Sequence, residues 1–188
     1  PVEYGGLGFD YKWDLGFMHD TLQFFGYPME ERRLHYNDIW FSMHYFSNEL
    51  YLLPFSHDEV VHGKKTILDK MYGTYEEKFQ QCRALFAYMI CHPGKKLNFM
   101  GNEIGQFREW AEYRPQDFDV LEQFPMHTMF KRFFRDLNRV YMAHSALYSE
   151  EYNRDCFQYV IADRPQDLVY AYTRSAGGER MLAVFNFS

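Results

Sequence analysis

Cysteine is scarce in this chain of 188 residues. Cys82, Cys91 and Cys156 form an odd set with no paired spacing, which excludes a disulfide framework and points to a reducing compartment with free, mostly buried thiols. Basic clusters are also missing. The formal net charge is −6, so the electrostatic footprint of a nucleic-acid binder is absent and no nucleic-acid partner is expected. Long apolar runs are missing as well. The most apolar, Ala84 to Cys91, is far shorter than the roughly 20 residues a membrane-spanning helix needs, so no membrane partner is expected either. Tryptophan numbers only 3, against 16 tyrosines and 19 phenylalanines. That aromatic surplus admits two readings, an aromatic core or an aromatic-lined groove, with the core as the default. There is no internal repeat and no low-complexity segment. The chain opens at Pro1 and closes on the strand-like Phe185-Asn186-Phe187-Ser188, and both ends read as cuts through a larger protein.

The most informative stretch is Leu50 to Lys65. An apolar run, Leu50 to Phe55, suits a strand buried on both faces. It stops abruptly at Ser56-His57-Asp58-Glu59 and passes through Val60-Val61 to His62-Gly63-Lys64-Lys65. A buried strand that delivers acids and an imidazole at its C-terminal end suggests an active site on a parallel α/β scaffold. Before it, three glycines lead from Tyr4 into a short strand over Phe9 to Trp13. A helix follows from Gly16 to Phe25, stopped by Gly26-Tyr27-Pro28. Asp38 to Met43 could begin another helix with an aromatic face.

After it, Thr74 and Glu77 make a capping box. Tyr75, Phe79, Cys82, Phe86, Met89 and Ile90 then fall on one helical stripe. His92-Pro93-Gly94 ends that helix. Lys95 to Met100 reads as a strand that gives way to Gly101-Asn102-Glu103, a second strand end carrying an acid. Pro125 opens a helix to about His144. Strand and helix thus alternate three times, which implies a parallel sheet with right-handed crossovers. The pattern then changes to three alternating runs, Cys156 to Ala162, Leu168 to Thr173 and Arg180 to Phe187, with turns between them. This is an antiparallel meander, expected to be a separate small β-domain from Ser149 onwards, with 1–148 as the α/β part.

Several near-motifs fail on inspection. Asp58-Glu59-Val60-Val61-His62 has an acid where a zinc-protease helix needs its first histidine. Gly63-Lys64-Lys65-Thr66 lacks the earlier glycine of a phosphate loop and has Lys where Ser or Thr should follow the lysine. Ser56-His57-Asp58 cannot form a serine triad within itself, because adjacent strand residues face opposite ways. No metal and no cofactor is expected. What remains is carboxylate chemistry: Asp58 and Glu59 at one strand end, Glu103 at the next. Acids around a cleft with aromatics and few cations suit a neutral polyhydroxylated ligand, since carboxylates accept hydroxyl hydrogens and rings stack on apolar sugar faces. Taken alone, Glu59 and Glu103 read equally well as solvated loop acids.

At these residues the sequence resembles a known family. Leu53-Pro54-Phe55-Ser56-His57-Asp58-Glu59-Val60-Val61-His62-Gly63-Lys64-Lys65 is similar to the fourth signature region of the 1,4-α-glucan branching enzymes, in glycoside hydrolase family 13, the α-amylase superfamily. Gly5 to Asp20 resembles the segment around that family's sixth barrel strand. Pro93 to Glu103 resembles the eighth, and Arg108-Glu109-Trp110 follows as expected. The His57-Asp58 pair marks the superfamily; the string Glu59 to Lys65 is what points to branching enzymes. The resemblance implies a fold: part of a (β/α)8 TIM barrel, strands six to eight with their helices, then the first part of an antiparallel β-sandwich. It implies transfer of a cut α-1,4-glucan segment to a 6-hydroxyl, with retention through a covalent glycosyl-enzyme. The nucleophile Asp and acid/base Glu of that mechanism belong to strands upstream of Pro1, so the fragment itself is expected to be inactive. What carries over is the third carboxylate, Asp58, with His57 beside it as sugar-gripping residues. Glu59, Trp13 and Glu103 are candidate glucan contacts. The resemblance further implies a cytoplasmic enzyme of glycogen metabolism with an α-glucan as its partner. A non-catalytic glucan-binding protein and a hydrolase of the same superfamily are the rival readings. Three barrel strands without the other five leave open sheet edges, through which the fragment is expected to self-associate.

Overall fold

A computed structural model describes residues 4–188. Two sheets divide them. The first is parallel, in spatial order β1 (Lys12–Trp13), β2 (Tyr51–Phe55), β3 (Lys95–Asn98). β2 lies in the middle, pairing Trp13 with Leu52 on one side and Pro54 with Leu97 on the other. The second sheet is an antiparallel meander of β4 (Phe157–Arg164), β5 (Val169–Ala176) and β6 (Glu179–Asn186), paired in chain order. The β5–β6 turn is the pair Gly177-Gly178, both at positive φ (58° and 82°), as a tight two-residue hairpin requires.

Each parallel strand is followed by helix. α1 (Leu15–Gly26) follows β1, and Asp14 caps it by accepting from the Phe17 N–H at 2.9 Å. After β2 come α2 (Ile67–Lys70) and α3 (Tyr75–Cys91). Thr74 and Glu77 form the reciprocal capping box that the sequence implies, and His92 closes the helix. α4 (Val120–Gln123) and α5 (Pro125–Ala143) follow β3. The alternation forces the parallel order, since a parallel pair needs a crossover and a helix is the compact way to supply one.

Two expectations shift. The strand expected over Phe9 to Trp13 shrinks to Lys12–Trp13. Gly5 and Gly8 hold positive φ ahead of it, and among the described residues β1 is an edge strand paired with β2 alone. The stretch from Asp38 holds no α-helix. Arg32–Ile39 and Phe41–His44 are 3-10 turns, where aromatic, Asn, Asp and Ser residues of modest helix propensity settle for i to i+3 bonds.

α3 is the spine of the core. Phe86 packs edge-on to Phe55 of the sheet at 5.7 Å and to Phe134 of α5 at 4.8 Å. Phe79 meets Phe130 of α5 at 5.6 Å. Tyr88, near its end, touches Phe17 of α1 at 5.8 Å and Phe185 of β6 at 5.5 Å. Of the two readings of the aromatic surplus, the core accounts for these rings. The buried Arg32 guanidinium donates to the carbonyls of Phe25 (3.0 Å), Tyr27 (3.2 Å) and Phe187 (3.3 Å) and to the Gln81 side chain. It thereby ties the α1 end to the last strand, and burial holds its pKa down at about 10. Among the described residues no helix is long and apolar enough to cross a membrane.

Candidate active site

β2 runs into the site. Phe55 ends it fully buried, and Ser56 turns the chain. The Ser56 hydroxyl oxygen accepts from the Asp58 N–H at 3.2 Å, which folds His57–Glu59 into a single 3-10 turn. Glu59 bends back to accept from the Ser56 N–H at 3.0 Å and from its hydroxyl at 2.7 Å. The two caps lock the turn so that His57 and Asp58 face outward, their side chains 48% and 57% exposed. His57 Nε2 lies 3.4 Å from Asp58 Oδ1. The pair is thus presented at the C-terminal end of the central strand, with a backbone set by hydrogen bonds rather than left to a loop.

An aromatic wall stands behind the pair. Phe99 and Trp110 meet edge to face, 5.3 Å apart at 90°. The His57 ring lies 5.9 Å from Phe99 and 6.2 Å from Trp110. Backbone bonds hold the wall in place: the Phe99 N–H donates to Phe55 O at 2.9 Å and the Trp110 N–H to Val60 O at 2.8 Å. Glu109 ties the two loops together by accepting from the Gly63 N–H (2.9 Å) and the Lys65 N–H (2.6 Å). These two amides, first Gly63, hold its carboxyl below the usual range. Between the Trp110 loop and His62 lies an open cleft of about 480 Å³ lined also by Arg108, Glu109, Tyr113 and Arg114. Exposed carboxylate, imidazole and flat rings together can accept sugar hydroxyls and cover an apolar sugar face.

The other candidates have partners or positions of their own. Glu59 is buried and spends its carboxylate on Ser56. Glu103, on the 3-10 turn after β3, accepts from the Gly101 N–H at 2.8 Å. It borders a cavity of about 690 Å³ that faces Lys131 and Arg135 of α5. Trp13 is in register with Leu52, three residues before the end of β2, and so about 10 Å below the strand end. The structure brings His57 to Asp58, Phe99 and Trp110; Trp13 lies lower on the sheet, and Glu103 sits on the turn after β3. Phe99 and Trp110 escape sequence reasoning as wall residues, because their approach to His57 is tertiary. The one local signal is their place after the third parallel strand. Asp14 escapes too. It follows β1, is buried, and takes hydrogen bonds from Phe17 and from the Tyr45 hydroxyl at 2.8 Å. Desolvation lifts its pKa.

This geometry has counterparts among known proteins. Among solved structures, the chain superposes on AmyP, crystallised in complex with maltose, with a TM-score of 0.65 at 14% identity over 96% of this chain and 41% of that one. It also superposes on the α-amylase from H. orenii, with a TM-score of 0.52 at 15% identity over 97% and 40%. The parallel sheet, its helices and the meander therefore have the fold of an α-amylase segment. No family model matches the chain. Its sequence relatives are narrower in kind. It is 45% identical over 184 residues to the 1,4-α-glucan branching enzyme GlgB 1 of Clostridium perfringens (strain SM101 / Type A), covering 98% of this chain and 27% of that protein. It is 45% identical to GlgB of Rhizobium meliloti (strain 1021), covering 98% and 25%. It is 43% identical to GlgB of Francisella philomiragia, covering 100% and 30%. Over its own length the chain is a homologue of the 1,4-α-glucan branching enzymes, and it spans between a quarter and a third of the length of these relatives.

Proposed function

We propose that this chain is one part of a branching enzyme's catalytic unit, and that Asp58 and His57 grip the reacting sugar of an α-1,4-glucan. The whole enzyme would cut the glucan and transfer the segment to a 6-hydroxyl by a retaining route. The observation that carries the reading is the capped turn after β2, which presents His57 and Asp58 side by side against an aromatic wall, in a chain whose relatives are named branching enzymes. The maltose held by AmyP supports an α-glucan as partner. In this reading residues 1–148 are the end of a (β/α)8 barrel, strands six to eight, and 149–188 begin a β-domain. Cleavage with retention needs two further carboxyls roughly 5–5.5 Å apart, assigned to upstream strands. Asp58 would accept sugar hydroxyl hydrogens more strongly as the ring becomes oxocarbenium-like, and so lower the barrier. Of the other candidates, Glu59 serves the pair by capping its turn, Trp13 lies lower on the sheet, and Glu103 is the one left as a secondary glucan contact. The free thiols Cys82, Cys91 and Cys156 support a reducing, cytoplasmic setting.

The test uses the full-length protein that carries this segment and reads branching by iodine staining and side-chain analysis. Asp58→Asn should lower turnover by about 10²–10³-fold with an unchanged circular dichroism spectrum. The 188-residue chain alone should show no turnover. Measurable branching by the isolated chain, or an Asp58→Asn protein of normal rate, would overturn the proposal. Release of linear oligosaccharides without branches would assign a hydrolase instead, and glucan binding without any turnover by the full-length protein would assign a binding protein.

A further inference from the structure

Beside the capped turn lies a third cavity, of about 570 Å³, that the sugar-gripping pair does not line. Met18 and Leu22 of α1 line it, with His19, Gln23 and Glu59 beside them. Lys64, Lys65 and Lys70 line it too, in a protein whose net charge is −6. We infer that this cavity binds a phosphorylated hexose, the phosphoryl group held by the three ammonium groups and the apolar face of the sugar laid on Met18 and Leu22.

Four observations carry the inference. First, the acids near Lys70 already have partners and are outnumbered by lysines at the cavity: Glu59, which also lines it, accepts from Ser56, Asp69 pairs with Lys78 at 2.8 Å, and Glu109 accepts from two backbone amides. Second, neither Lys64 nor Lys65 has an ion pair or side-chain hydrogen bond among the described residues. Third, the lysines are positioned rather than loose. Lys65 holds the left-handed conformation (φ 63°), a strained state for a side-chain-bearing residue that neighbours must impose, and Glu109 fixes its amide. Lys70 Nζ donates to Lys65 O at 2.9 Å and to Glu59 O. Fourth, burial pushes the half-buried Lys70 down to about 8, a cost that an incoming dianion would relieve.

The stretch Gly63-Lys64-Lys65-Thr66 resembles a phosphate loop without matching one, and the structure explains the difference. The Gly63 and Lys65 amides, which a backbone cradle would aim at phosphate, are taken by Glu109. Phosphate would therefore be met by side chains, as point charges. The inference goes beyond the proposed glucan reaction and does not depend on it.

Methyl-¹³C methionine NMR of the full-length protein that carries this segment tests it, with the Met18 signal assigned through Met18→Leu. Glucose 6-phosphate should shift that signal saturably, at least about tenfold more tightly than glucose or inorganic phosphate. The Lys64→Gln/Lys65→Gln variant, altered at two exposed positions, should lose at least about tenfold in affinity while the other methionine signals stay in place. Inorganic phosphate binding as tightly as the sugar phosphate would reduce the site to a phosphate site and overturn the hexose assignment. No saturable shift, or unchanged affinity in the double variant, would overturn the inference whole.

Discussion

At the scale of single residues, His92 is the sharpest test of the structure. Its ring is fully buried between α1 and the end of α3, 4.7 Å from the Phe17 ring. Nδ1 donates to Pro93 O and Nε2 accepts from the Ser42 hydroxyl, both at 2.7 Å, so the neutral imidazole is fully satisfied. Desolvation pushes its pKa down to about 3. An unfolded histidine binds its proton near pH 6.5. Between about 3 and 6.5 the unfolded chain therefore holds a proton that the folded chain refuses, and stability must fall as pH falls through that window. The slope expected from this one group is up to about 1.4 kcal/mol per pH unit. Urea unfolding at pH 7, 6 and 5 should show it in the wild type, and His92→Gln should flatten it. Equal slopes in the two proteins would refute the assignment. The sequence shows His92 only as a helix stop beside Pro93. Nothing local announces burial, because the residues that enclose it, Ser42 and Phe17, lie 50 and 75 positions away.

At the scale of elements, local chemistry decided what the sequence could disclose. The α3 capping box needs four consecutive residues, Thr74 to Glu77, and both halves are present. Thr74→Ala should cost about 1 kcal/mol, read as a lower urea midpoint with an unchanged m-value. A Thr74→Ser variant should recover most of it, and no loss in Thr74→Ala would mean the box adds nothing net. The end of β2 at Phe55, the proline-led α5 and the meander are legible for the same reason, each written as an apolar run with its own stop, whereas β3 ends at Asn98, two residues short of the Met100 that the sequence suggests. The 3-10 turns over 32–44 are not, because their rings take their conformation from distant partners. Trp40 packs near Tyr159 at 6.4 Å and Phe46 on Phe157 at 5.9 Å. The site divides along the same line. His57 and Asp58 stand out in the sequence because an apolar strand delivers them. Glu59, equally prominent there, is an N3 capping residue whose role follows from Ser56 three positions earlier.

At the scale of the whole molecule, the surface is what three parallel strands leave uncovered. Among the described residues β1 and β3 each have one partner, so each offers an unpaired row of backbone donors and acceptors. Leu182 and Val184 on β6 are each 59% exposed, and Met100 beyond β3 is 55% exposed. Apolar surface and open edges of this kind drive association in water. We expect the isolated chain to self-associate, and to do so through the parallel-sheet edges. Sedimentation velocity across a concentration series should show growth beyond 22.8 kDa as concentration rises. The Leu182→Lys/Val184→Lys variant separates the two surfaces. It charges the β6 face and leaves β1 and β3 untouched, so association should persist. A monomeric double variant would move the contact to β6. A wild-type monomer at every concentration would mean that side chains such as Lys12 and Lys95, at the starts of the edge strands, already block pairing, as charged residues on natural edge strands do.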